Sequence, residues 1–418
     1  MNVASHHIDP QPDSGSSFAE ASVQRCPFPL IARLQQEAPV YRDPITGFYV
    51  ISRYDDIVYV GQHPELFSNT TSVIIDRKDS LAAAEVARRY AEHGFLPMHT
   101  LVTNDPPSHT RYRSLIDKVF TSTFVRELEP GILALIDELI DQLPCATSFD
   151  LIPAFCIRLP MYVIAGQLGV AREDWPRFKE WSDLTIEGIN PTLSPERELQ
   201  ITDRIIEMQQ YLWKRAQEFR DAPQPVLLSR LVNADLDGRR LEPRELIAIA
   251  HQLLVAGNET TTGALATGTW MFLRDVGLRA RLQTEPDAIT AFVEEVVRMH
   301  SPSPHLYRQV IHDTEIAGTP IAKGSVLMLS YLAGNHDPSK FPRPNVVDLD
   351  RPNARQHLGF GRGIHFCIGN QLARTELRIA FRRLLERLPG LRLDPEKPEP
   401  RFAAIYHTHG LERLDVLV

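Results

Sequence analysis

The stretch FGRGIHFCIGNQLARTE, Phe360 to Glu376, decides how this chain is read. It holds one cysteine, Cys367, with Gly361, Gly363 and Gly369 close by. Gly361 and Gly363 let the backbone take conformations closed to other residues and approach a flat partner closely. Beyond Cys367, IGNQLARTELRIAFRRLLERL carries a helical period, with Ile368, Leu372 and Ile379 on one apolar stripe. The thiol is therefore expected at a helix N-terminus. There, free N–H groups and the positive end of the dipole favour a thiolate. A thiolate so placed is a nucleophile or a metal ligand. His365 lies two residues away on the same side of an extended loop, so this stretch alone leaves a cysteine-nucleophile enzyme open.

The other cysteines, Cys26, Cys145 and Cys156, read as small buried hydrophobes. No two of the four form a C-x-x-C pair, which argues against structural zinc. The chain has 418 residues, 43% apolar and 23% charged, an ordinary composition for a globular protein. Its formal charge of −8 argues against a general affinity for nucleic acid or anionic membrane. No window approaches the 18 or so uninterrupted apolar residues of a spanning helix. The start, MNVASHHIDPQPDSGSS, lacks a basic and then apolar signal pattern, so residues 1–20 are expected to be a disordered polar lead. The expected compartment is the cytoplasm and the expected state a monomer.

Strand signals are few. FYVISRYDDI, Phe48 to Ile57, has a β-branched start, and APVYRD before it is placed to form a hairpin with it. A second strand cluster is expected over Thr314 to Ser330. Helical periods fill most of the rest, as in IDKVFTSTFVREL, ILALIDELIDQL, ELIAIAHQLLVAG, AITAFVEEVVRM and LRIAFRRLLERL. Thirty-two prolines punctuate them. The expectation is a mainly α fold with a small β portion, as one domain over 21–418 without a linker.

The spacing Phe360-x-x-Gly363-x-His365-x-Cys367-x-Gly369 resembles the haem-binding signature of the cytochrome P450 family. The resemblance implies a triangular, α-rich fold and haem b, with Cys367 as axial ligand to the iron. It also implies that Phe360 packs beside the porphyrin near the sulfur, with Gly361 and Gly369 in the same loop. His365 would stand on a haem propionate.

Three further motifs test it. QLLVAGNETTTGALA, Gln252 to Ala266, is helical by pattern despite Gly257 and three consecutive threonines. Back-bonded threonines in a buried helix are one reading. A helix locally opened over a reactive centre is the other. Ala256-Gly257-x-Glu259-Thr260 resembles the family's oxygen-binding motif, which implies that Ala256 faces the haem and that Glu259 and Thr260 deliver protons. AFVEEVVRMHSP holds Glu295 and Arg298 at i,i+3 among valines. By itself this is a common ion pair of small worth, but it resembles the family's E-x-x-R, whose further partner matches Arg351. TNDPPSHTRYRSL puts His109 and Arg113 one turn apart after Pro106-Pro107. A solvated basic face would explain them, but the family uses this His and Arg for haem propionates, and Arg308 matches another propionate arginine.

The matches cover nearly the whole chain. They imply a monooxygenase that puts one atom of dioxygen into a lipophilic molecule, by hydroxylation or epoxidation. The chain has no P-loop, no nucleotide-binding glycine motif and no iron–sulfur cysteine cluster, so the two electrons are expected from a separate ferredoxin system. Residues 351–387 hold eight arginines and two glutamates, a face suited to an acidic ferredoxin, or else the wet face of a helix. Family position assigns the substrate pocket to Phe95, Leu96, Met98, Gln252, Val255, Ala256, Pro304, His305, Ile405 and Tyr406, with a lid over Trp181 to Glu196. A peroxygenase of the same fold is an alternative that the Glu259-Thr260 pair argues against. A non-catalytic haem sensor is another, opposed by the lack of a signalling domain.

Overall fold

A computed structural model describes residues 15–70, 80–144, 146–188, 193–285 and 287–418. The chain forms two compact units, each discontinuous in sequence. One is made of residues up to Ser68, Glu129–Leu159 and Glu259–Val418, and the other of Asn69–Leu128 and Pro160–Asn258. Three of the four crossings fall inside helices, namely Ser122–Asp141, Arg158–Gln167 and Pro243–Arg274. The sequence therefore carries no linker signal where the chain divides.

The first unit holds the strands. Val40–Arg42 pairs antiparallel with Tyr49–Ile51, the hairpin expected from APVYRD and FYVIS. Tyr49–Ile51 runs parallel to Val326–Ser330, which pairs antiparallel with His305–Val310, and Phe67–Ser68 closes the edge. The strand at the β-branched start of FYVISRYDDI stops at Ile51, and Tyr54–Gln62 is a helix whose first turn carries Asp55 and Asp56, favourable at the positive dipole end. Thr314–Ile316 and Thr319–Ile321 form a small separate hairpin. Helix Ala288–His300 is buried on nearly every face and ends where Ser301 turns to positive φ ahead of Pro302.

Residues ahead of Ala21 correct the expected disordered lead. Ser16, Ser17 and Phe18 are buried, and the Ser17 hydroxyl and Phe18 amide donate to Asp43 at 2.7 and 2.9 Å. Residues 1–14 lie outside the described ones, as does Cys145.

The second unit is helical. Pro195–Asp221 is its axis, started by Ser194, whose hydroxyl accepts from the Arg197 amide, with Pro195 in the first turn. Met208, Leu212 and Ala216 are fully buried along it, against Ala83–His93, Trp175–Glu187 and Leu227–Asn233. The pattern IDKVFTSTFVREL splits between two helices. Ser108–Val119 ends, and Thr121 caps the next by accepting from the Phe124 amide at 3.2 Å. The proposed lid is in part ordinary structure, since Trp181 is fully buried within Trp175–Glu187. Its residues 189–192 lie outside the described ones.

Candidate functional site

In the first unit, the cysteine loop is held between two helices. Residues Gly363–His365 form one 3₁₀ turn, and the long helix begins only at Asn370. This corrects the expected position of Cys367. The thiol stands in the turn ahead of the helix, because Gly369 is the N-cap. The Cys367 amide donates to the Phe360 carbonyl at 2.8 Å, which closes the loop on itself. Gly361 and Gly363 have φ of 71° and 72°, the left-handed region foreseen for them. At Gly363 the need is also steric, because a Cβ there would collide with the Gly61 carbonyl of the facing helix. Cys156 contrasts with Cys367. It is fully buried and burial pushes its thiol pKa up, so it is an inert core thiol, while Cys367 is half-buried.

Glu295 and Arg298 are both 0% exposed. The carboxylate accepts from Arg298 Nε at 2.7 Å and Nη2 at 2.9 Å, from Arg351 Nε at 3.1 Å and from the Asp348 amide at 2.9 Å. The three-membered ion set read from the spacing is therefore present. Its neighbour Glu294 does different work that the sequence reading missed. Glu294 binds Arg374 through two parallel contacts of 2.7 and 2.9 Å and His357 Nε2 at 3.1 Å. Burial raises the Glu294 pKa, but these hydrogen bonds and the Arg374 charge outweigh it and hold the carboxyl at about 2. Burial lowers the His357 pKa, and because Nδ1 accepts from the Gly359 amide it is Nε2 that carries the proton and donates to Glu294.

Arg308 supplies a direct test of fit for haem. It is 3% exposed on strand His305–Val310. Nη1 donates to the neighbouring Tyr307 carbonyl at 2.7 Å, and Nη2 has no hydrogen-bond partner among the described residues. A buried guanidinium without a carboxylate is costly, and a propionate of the expected cofactor has the missing chemistry. The residues present fit the group. His365 lies in the 3₁₀ turn before Cys367.

Pro304, His305, Ile405 and Tyr406, four of the expected pocket residues, line one recess together with Phe18, Val23 and Leu332. Within it, His305 is buried and its Nε2 has no hydrogen-bond partner among the described residues. Burial holds its pKa down to about 3, and the charge of His407 adds to this. The Asn370–Arg387 helix also hides Glu376, whose carboxyl burial pushes up to about 8.

In the second unit, His109 is buried on Ser108–Val119 and burial lowers its pKa. Arg113 Nε meets Asp117 at 3.0 Å. Gln252 is already engaged, because its Oε1 accepts from the Leu101 and Val102 amides at 3.2 and 3.1 Å. Phe95 is pinned by Gln209 through both backbone groups, and its ring meets Trp213 edge-on. Leu96 is exposed, and Met98 and Val255 are half-buried. The helix Pro243–Arg274 is unbroken through Gly257, Glu259 and Thr260, against the expected local opening. The Thr262 hydroxyl donates to the Cys156 carbonyl, outside this helix. Ala256 is exposed, and a Cβ at Gly257 would meet nothing within 4 Å.

No helix among the described residues is long and apolar enough to cross a membrane. The basic proximal face is less free than its composition suggested. Arg378 meets Glu129, Arg383 meets Asp137, and Arg387 meets Asp137 and Asp141. Arg351 and Arg374 are also paired, Arg355 is exposed, Arg382 is half-buried, and Arg362 contacts Tyr54 and the Gln356 carbonyl.

Comparison with known proteins agrees. The family model described as cytochrome P450 matches residues 194–404. A putative cytochrome P450, YjiB, from Bacillus subtilis is 34% identical over 370 residues, 87% of this chain and 88% of its own. The steroid C26-monooxygenase of Mycobacterium tuberculosis is 33% identical over 385 residues, 92% of this chain and 98% of its own. The solved structure of cytochrome P450 CYP109Q5 from Chondromyces apiculatus superposes with a TM-score of 0.85 at 30% identity, over 96% of this chain and 97% of that one. With its cysteine loop, its buried glutamate–arginine set and these relatives, the chain belongs to the cytochrome P450 family and is a haem b monooxygenase.

Proposed function

We propose that this protein oxygenates a lipophilic molecule bearing an oxygen function, of steroid-like size, and that Cys367 is the thiolate that holds its haem. When bound, haem b supplies the activation of dioxygen, so that one oxygen atom enters a C–H bond or double bond and the other leaves as water with two electrons and two protons from outside. The chain's own residues do the rest. Cys367 is ligand, and Phe360, Gly361 and Gly369 shape the loop around it. Arg308 and Arg113 would offset the charge of the two propionates, His109 and His365 would hydrogen-bond them, and Ala256 would face the group. Glu259 and Thr260 hold and pass the protons.

One observation carries the substrate class. His305 is a buried imidazole whose Nε2 has no partner among the described residues, in a recess lined by apolar and aromatic side chains together with Gln24, Ser330, Thr408 and His409. The recess is small, so it suits the polar end of a larger apolar molecule and not its body. A relative named for a steroid reaction supports the same class. Phe95, Leu96, Met98, Gln252 and Val255 have the weaker support of family position. The Gln252 carbonyl is already occupied, and the Phe95 ring packs on Trp213.

The experiment is a ligand titration of the haem-loaded protein, read by its spin-state spectrum, with a hydroxysteroid and its deoxy analogue, because the neutral His305 ring gives its one N–H to the Tyr406 backbone and leaves Nε2 to accept. His305→Leu is expected to weaken the hydroxysteroid roughly 2- to 10-fold, the worth of one hydrogen bond, and to leave the analogue unchanged. Equal binding of both ligands by parent and variant would refute it.

The electrons come, in this reading, from an acidic ferredoxin at the cysteine loop. Arg355 and Arg362 are its contacts, because the arginines of the following helix are largely neutralised within the chain. Arg355→Glu is expected to slow reduction by ferredoxin, with a modest salt dependence. Unchanged reduction would remove this docking site.

A further inference from the structure

The Glu294 cluster reaches further than an ion pair. Arg374 Nη1 meets Asn370 Oδ1 at 2.7 Å, and Asn370 Nδ2 donates to the Cys367 carbonyl at 2.7 Å. The same guanidinium lies over the Phe360 ring, 4.3 Å from its centre. His357 meets that ring from another side, with centroids 5.5 Å apart. Phe360 and Cys367 are the two ends of the ligand loop, joined by the bond from the Cys367 amide to the Phe360 carbonyl. One side chain, Arg374, thus contacts one end directly and the other through Asn370. Its own position is fixed by two parallel bonds to a carboxylate that is 3% exposed.

We infer that Arg374 and Asn370 are positioning residues for the haem-ligating thiolate, and that Glu294 and His357 hold them. The direction of the chain of contacts supports this over simple bracing. The Asn370 amide has a split task that geometry makes specific. Its oxygen accepts from the arginine, which leaves its N–H₂ to point at the Cys367 carbonyl. An amide flipped the other way would face donor to donor at Arg374. The planar fork of Arg374 makes all of its contacts at once, to Glu294, to Asn370 and to the Phe360 face, and a lysine cannot. Groups that orient a metal ligand from behind tune and retain it without touching the metal.

This inference rests on Cys367 being the ligand, and the test separates the two. Parent, Asn370→Ala and Arg374→Lys are prepared haem-loaded, reduced, and exposed to carbon monoxide. The red-shifted band of a thiolate complex is then followed as it converts to the band of a thiol or lost ligand. Thermal melting and haem content are measured alongside. Asn370→Ala is expected to convert at least fivefold faster than the parent, with melting nearly unchanged because Asn370 is half-buried in the first helical turn. Arg374→Lys is expected to convert faster as well, and the double variant no faster than Arg374→Lys, since both act on one path. Parental rates in Asn370→Ala would overturn the inference even if Arg374→Lys failed to fold. A multiplicative double variant would overturn the single path. A parent with no red-shifted band would overturn both the inference and the ligand reading beneath it.

Discussion

Replacing Glu295 by Gln removes one charge and almost no volume, which makes it a sharp probe of the buried ion set. Both carboxylate oxygens are fully used. Oε1 accepts from Arg298 Nε and Arg351 Nε, and Oε2 from Arg298 Nη2 and the Asp348 amide. Whichever oxygen becomes N–H₂, two donors then face a donor. Two guanidiniums, with side chains 0% and 3% exposed, are left with backbone carbonyls and one amide oxygen, and without a counter-charge. Those carbonyls are Asn335, Pro344 and Val346 for Arg298, and Pro342, Arg343 and Val346 for Arg351. Breaking a buried pair costs roughly 3–5 kcal/mol. Globular proteins have roughly 5–15 kcal/mol of stability in total. The variant should therefore lose a large part of it, and the segment Pro342 to Arg351 should loosen first, because the same carboxylate ties Asp348 and Arg351. The assay is urea denaturation of the haem-loaded protein followed by haem absorbance and by circular dichroism, together with the haem content of freshly purified protein. A fall in midpoint equivalent to several kcal/mol and poor haem retention are expected. A shift worth less than about 1 kcal/mol would refute the reasoning, because it would place the set in the class of exposed surface pairs.

Other outcomes follow from the same structure. His305, His336 and His409 are held down to about 3, 4 and 3, chiefly by burial. Their folded values lie below the ordinary value near 6.5, so their contribution is intact above pH 6.5 and is lost as pH falls towards 4. A loss of about 2 kcal/mol per histidine by pH 5 is expected in denaturation midpoints. Midpoints equal at pH 7 and pH 5 would contradict it. Glu376 shows the opposite sign. Its carboxyl is raised to about 8, so its contribution is full below pH 4.5 and is lost as pH rises through 8. Glu376→Gln should gain stability over the parent at pH 9 and little at pH 5, and a variant less stable at pH 9 would refute the assignment. Gly363→Ala meets both a positive φ and the Gly61 carbonyl, so it should abolish haem loading while leaving the secondary structure largely in place. Normal haem content in that variant would show that the loop has room to move.

Much of the ligand loop was legible because its determinants are local. Gly361 and Gly363 announced left-handed backbone, and the helix after Cys367 announced itself by its period. The start of that helix was misplaced because an apolar stripe does not reveal which glycine becomes the N-cap. The adjacent glutamates show the limit more plainly. Spacing and family pattern chose Glu295 for Arg298, but nothing near Glu294 pointed to His357 or Arg374, which lie 63 and 80 residues further on. The arginine row misled for the same reason. Its acidic partners Asp137 and Asp141 lie about 250 residues earlier, and only packing of Ser122–Asp141 beside Asn370–Arg387 brings them together. Gln252 was assigned to substrate by family position. The backbone of Leu101 and Val102 takes its carbonyl oxygen, a tertiary contact that the sequence does not encode locally.

The claim on which all of this stands is that Cys367 holds the iron. The most direct measurement is the difference spectrum of the dithionite-reduced protein with and without carbon monoxide, taken on the parent and on Cys367→Ser. The account predicts a strongly red-shifted Soret band in the parent and none in the variant. A parent without that band, or a variant that keeps it, would contradict the account at its centre.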